Sequence, residues 1–152
     1  MERAAPHYQV VLGVIGSDCH AVGNRIIATV LEQEGIAVMN LGVMVSQDEF
    51  IDAAIECGAD AILVSSIYGH GEIDCDGFRN RCNERGLGDN LLYVGGNLVV
   101  GKQDFDDVVT LFESMGFDRV CHPSVDLVEI AATLKSDVEN RLLAREPLRA
   151  YA

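Results

Sequence analysis

Asp18 and His20 sit two residues apart in the run Ser17-Asp18-Cys19-His20-Ala21-Val22-Gly23. An extended or turned segment with that spacing lets the carboxylate reach one imidazole nitrogen. A carboxylate on one ring nitrogen fixes the tautomer and makes the other nitrogen a better ligand for a metal. Gly23 permits close backbone approach just beyond. The same pattern also suits a loop pair joined only by a structural hydrogen bond, so its chemistry depends on what converges beside it. The apolar run Val10 to Ile15 leads into this segment, and Asn24 to Glu34 reads as a helix leaving it. The histidine therefore falls where a strand hands over to a helix. In a parallel α/β sheet that handover lies at the carboxyl edge, where ligands bind.

The elements that must position the pair follow from apolar periodicity. Val10–Ile15, Ile36–Leu41, Ala61–Val64 within 60–66, and Leu91–Val94 are short apolar runs, as in strands covered on both faces, and Arg119–Cys121 is a short fifth strand. Ser46-Gln47-Asp48-Glu49 matches a capping box, opening a helix with Phe50, Ile51, Ala54 and Ile55 inward. The other helices are predicted over 24–34 (Ile26, Ile27, Val30 and Leu31 on one stripe), 74–85, 104–115 (burying Val108, Val109, Leu111, Phe112 and Met115) and about 125–143 (Leu127, Ala131, Leu134, Val138 and Leu142 inward). Alternating strands and helices predict an α/β fold: a flavodoxin- or Rossmann-like, doubly wound five-stranded parallel sheet, order 2-1-3-4-5, helices on both faces. The 152 residues read as a single domain, 1–152.

In that order the ends of strands one, three and four line up along one stretch of the carboxyl edge. Strand one ends in the Asp18/His20 segment, strand three in Ser65-Ser66-Ile67, strand four in Gly95-Gly96. A double glycine at a strand end exposes bare backbone against which a flat group can lie. A serine hydroxyl can bond a ring nitrogen, and an isoleucine gives apolar contact. Each residue also has an ordinary structural reading. Their coincidence beside a loop histidine points to a ligand.

Asp18-x-His20-x-x-Gly23, then 41 residues, Ser65-x-Ile67, 27 residues and Gly95-Gly96 resembles the cobalamin-binding signature of B12-dependent mutases and methionine synthase. Val10–His20 with the following Ala-Val-Gly-Asn, Ala61–Gly69, Gly71–Cys75 and Tyr93–Gln103 more closely resemble the small subunit of glutamate mutase (methylaspartate mutase). Isoleucine at position 67 replaces the usual leucine and keeps the apolar contact.

The resemblance implies adenosylcobalamin bound with its dimethylbenzimidazole base displaced and His20 as the lower axial ligand of cobalt. Asp18 holds and tunes His20. Ser65, with Ser66 beside it, meets the displaced base and Ile67 packs against it. Gly95 and Gly96 line the channel for the nucleotide tail, and Asn97, Leu98, Val99, Val100 and Gly101 continue that wall. Ser17, Cys19 and Ala21 contact the corrin, with Gly23 close by. The implied reaction is the radical rearrangement of L-glutamate to threo-3-methylaspartate. The implied partner is a large TIM-barrel subunit that carries the substrate site, in a heterotetramer of two small and two large subunits. No arginine cluster here could clamp two carboxylates, which agrees with a chain inactive alone.

The formal net charge of −13 argues against nucleic acid and anionic membranes as partners. No apolar run is long enough to span a bilayer and no signal core follows Met1, so a cytoplasmic location is expected. Five cysteines without C-x-x-C spacing read as reduced thiols. Cys75 and Cys82 could share a helix face, but no histidine stands at zinc-ligand spacing. His70 is a solvated turn residue, or faces the corrin or the partner; His7 and His122 are surface or structural, and Tyr93 is core. The alternative function is a corrinoid carrier of a methyltransferase system. That class usually has a helical cap domain first, and here about eight residues precede strand one. A flavin module has no need of Asp-x-His-x-x-Gly, and a phosphoacceptor receiver needs an aspartate where strand three ends in serines.

Overall fold

The computed structural model describes residues 8–16, 21–66, 71–100 and 102–150. Its elements are β1 (Tyr8–Val14), α1 (Ala21–Gln33), β2 (Ile36–Asn40), α2 (Gln47–Cys57), β3 (Ala61–Ser66), α3 (Gly71–Asp74), α4 (Phe78–Glu84), β4 (Leu91–Gly96), α5 (Phe105–Ser114), β5 (Arg119–Val120) and α6 (Leu127–Ala150). The five strands form one parallel sheet in the order β2-β1-β3-β4-β5, as predicted. Ile15, just past the end of β1, donates its amide to the Ser65 carbonyl of β3 and bridges Val45.

Alternate strand residues feed two cores. On one face Val11, Ile62, Val64, Leu92 and Val94 meet Phe50 and Ile51 of α2, Phe78 and Cys82 of α4, and Val108 and Phe112 of α5. On the other, Val10, Leu12, Leu63 and Tyr93 meet Ala28 and Leu31 of α1 and Ala131, Leu134 and Val138 of α6. Each large apolar side chain so buried contributes about 1.5–3 kcal/mol. The capping box at Ser46 forms in both directions, Ser46 Oγ accepting from the Glu49 amide and Glu49 from the Ser46 amide.

Several local expectations change. The helix predicted over 74–85 is two short helices with a turn between them, because Gly77 sits at φ 74° and interrupts the spiral. Cys75 therefore lies in the turn and does not share a helix face with Cys82. Both thiols are buried, and burial pushes them up to about 12 and about 11. Ile26, Ile55 and Leu142 are exposed, not core. α1 starts three residues earlier than predicted, and its buried stripe runs Asn24, Ala28 and Leu31, so Asn24 and Ala28 face the sheet where Ile26 and Val30 were expected.

Candidate functional site

At the carboxyl end of the sheet, on the α1/α6 face, side chains shrink along each central strand. Leu63 pairs with Tyr93, and two residues on Ser65 pairs with Gly95. The small pair leaves a cavity of about 430 Å³ between the strand ends, the start of α1 and the start of α6. Gly23, Ile26 and Ile27 form one wall, Leu127 and Ile130 the other, with Ser65, Gly95 and Gly96 on the floor. Ile26, half-exposed, is thus a cavity wall.

Gly95 and Gly96 have different physical reasons. A Cβ on Gly95 would stand 3.3 Å from Cys121 Cβ, a tight fit that still admits small adjustment. A Cβ on Gly96 would stand 2.2 Å from the Ser66 carbonyl oxygen, and its φ of 102° is strained for any side chain. Gly96 lets β4 turn away directly over β3, and Gly95 leaves the floor open.

Ser17, Asp18, Cys19, His20, Ile67, His70 and Gly101 lie outside the described residues. Both flanks of the Asp18/His20 segment are described. Gly16 is tied down by its amide to the Val45 carbonyl, 2.9 Å, and has the Asp74 carboxylate against its Cα face. On the other flank buried Asn24 donates to Asn40 Oδ1 at 2.6 Å, which also accepts from the Gly42 amide. That pair pins the first turns of α1 to the end of β2. Asn24 Oδ1 itself is buried with no partner among the described residues, an acceptor that calls for a donor.

The remaining predicted residues divide. Gly23, Ser65, Gly95, Gly96 and Asn97 line the cavity together. Ser66 and Leu98 are buried towards the opposite core, where the Leu98 side chain contacts the face of Gly71, and Val99 packs there too. Ala21 and Val100 are exposed. The cavity also uses Cys121, His122, Pro123 and Val125, which no sequence motif marks. Burial pushes the Cys121 thiol up to about 11, against the pull of Arg119. Tyr93 donates to Asp137 at 2.5 Å, and its phenol is held well above the usual range by burial first and that bond second. Arg119 grips the same carboxylate through two N–H groups, at 3.0 and 2.9 Å.

The B12 binding domain family matches residues 8–131. The glutamate mutase sigma subunit of Escherichia coli O157:H7 is 65% identical over 132 residues, covering 87% of this chain and 89% of that one. The chain belongs to the glutamate mutase sigma subunits. The sigma subunit of Yersinia enterocolitica is 58% identical over 137 residues, 90% of this chain and 93% of its own. Among solved structures, a cobalamin-binding protein from Desulfitobacterium hafniense DCB-2 superposes with a TM-score of 0.68 at 18% identity, over 86% of this chain and 58% of that one; this shows the fold alone.

The residues present fit a corrinoid with a nucleotide tail. The tail ends in a flat, mostly apolar base, and the cavity is an apolar slot with a glycine floor and one small hydroxyl. Ser65 is 8% exposed and its hydroxyl bonds no other described residue, so it is available to a ring nitrogen.

Proposed function

We propose that this chain is the cobalamin-binding subunit of a glutamate mutase, and that His20 ligates cobalt while the displaced base lies in the α1/α6 slot. The observation that carries the reading is that slot, opened by the Ser65–Gly95 pair at the same sheet edge as Gly16 and Ala21, the residues that flank Asp18 and His20 in sequence. Bound adenosylcobalamin supplies a carbon-centred radical for the rearrangement of L-glutamate to threo-3-methylaspartate. The chain's own residues bind and position. Asp18 holds the second nitrogen of His20, and losing such a partner typically costs about 10–100-fold in affinity or activity. Ser65 meets the base and Ile67 packs beside it. Gly95, Gly96 and Asn97 line the tail, with the backbone of Ser66 setting the close approach at Gly96 and residues 98–101 continuing the wall. Ser17, Cys19, Ala21 and Gly23 lie against the corrin.

The whole chain, residues 1–152, acts as one domain in this reading, in the cytoplasm, inactive until it meets a large TIM-barrel subunit, two of each per assembly. Exposed Val22, Met44, Ile73 and Val100 support a partner at this edge: each follows one of the first four strands, so apolar surface rims the site. No described helix is long and apolar enough to cross a membrane.

Reconstitution tests the reading. The chain, a large glutamate mutase subunit and adenosylcobalamin together convert glutamate to 3-methylaspartate, and the chain with cofactor alone does not. No turnover in a complete mixture that binds the cofactor contradicts the substrate assignment. Turnover without the large subunit contradicts the division of labour.

A further inference from the structure

The cavity mouth carries a polar side chain outside the cobalamin signature. His122 follows β5 and is oriented from two sides. The Ser124 amide donates to its Nδ1 at 3.1 Å, with Ser124 Oγ at 2.7 Å, and the ring meets Phe105 edge-on at 4.7 Å between centroids. A backbone N–H can only donate, so Nδ1 is the acceptor and the ring N–H sits on Nε2. Nε2 has no partner among the described residues.

We infer that His122 Nε2–H is a hydrogen-bond donor to the phosphate of the cofactor's nucleotide tail at the cavity mouth. This rests on the cobalamin reading above. Apart from the Asn97 side chain, the lining leaves little else for that anion. The Tyr93 hydroxyl is committed to Asp137, and the Cys121 thiol is a weak donor. Ser65 lies deep, where the slot suits the flat base. Arg119, the cation two residues before Cys121, is held by Asp137. A phosphate pays heavily for desolvation, so it stays at the rim while the base goes in, and the rim offers Asn97 and His122, both exposed. In a chain of net charge −13, a fixed donor at that point offsets a surface that repels the anion.

Titrating cobalamin against cobinamide, the same corrin without the nucleotide tail, isolates the contact. The proteins are wild type, His122→Ala and His122→Gln, read by the corrinoid absorbance. His122→Ala weakens cobalamin by about 10–100-fold, as for a lost hydrogen bond to a charged group. It leaves cobinamide unchanged, and His122→Gln, which keeps an N–H, recovers part of the loss. An unchanged cobalamin affinity in His122→Ala, or an equal loss for cobinamide, overturns the inference while the cobalamin reading stands. A wild-type chain that binds neither corrinoid overturns both.

Discussion

Ser65 and Gly95 stand directly opposite each other across β3 and β4, one step beyond the large pair Leu63 and Tyr93 on the same face. That step from large to small opens the slot. Leu in place of Gly95 refills it: cobalamin affinity falls by about 5–100-fold, the cost of overpacking such a site. Cobinamide, without a tail to insert, binds almost as before. Gly96→Ala acts differently. Its Cβ meets the Ser66 carbonyl and its φ is unfavourable, so the cofactor-free protein itself loses about 1–3 kcal/mol, read as a lower urea midpoint. If Gly95→Leu binds both corrinoids like wild type, the slot is not where the tail goes.

Asp137 joins α6 to the floor of the same cavity through Tyr93. The Arg119 guanidinium, and then the Tyr93 hydroxyl, hold its carboxyl below the usual range against burial. A depressed carboxylate stabilises the fold above its unfolded value, and that contribution fades as the pH falls through the lowered folded value. Asp137→Ala therefore costs stability at neutral pH, about 1–3 kcal/mol: one part is the buried Tyr93 hydroxyl left without an acceptor, which persists in acid, and the other is the carboxylate's charge-assisted bonding, which does not. Exposed Arg119 adds little. Denaturant unfolding of both proteins from pH 7 down into the acid range shows the difference shrinking. A constant difference contradicts this account.

Much of this was legible in the amino-acid order. Apolar runs mark the strands because both faces of a parallel sheet are covered, and Gly95-Gly96 is visible because a side chain there meets Cys121 or the Ser66 carbonyl. The second half of the cavity was not legible. Ile26 keeps helical apolar spacing whether it faces a core or a ligand slot, and Cys121 and His122 reach the site only because β5 ends beside Gly95. The double short helix after β3 turns on Gly77, which composition alone does not distinguish from a tolerated helix glycine.

Cys121 gives a pH-dependent readout of the cavity. With its thiol near 11, it is protonated and slow to react at pH 7.5, and alkylation rises only as the pH approaches that value. Peptide mapping after iodoacetamide treatment follows it separately from Cys57. Bound cobalamin slows it further, because Cys121 lines the slot. Rapid modification at neutral pH, or indifference to the cofactor, contradicts the position given to it.

The central claim is that a histidine of this chain holds the cobalt, and EPR of the cob(II)alamin complex tests it directly. Spectra of unlabelled protein are compared with those of protein grown on ¹⁵N-histidine. The account predicts that the nitrogen splitting changes with the label, and that His20→Ala abolishes the labelled pattern. A splitting indifferent to the label contradicts ligation by the protein, and the slot beside Gly95 must then serve a different ligand.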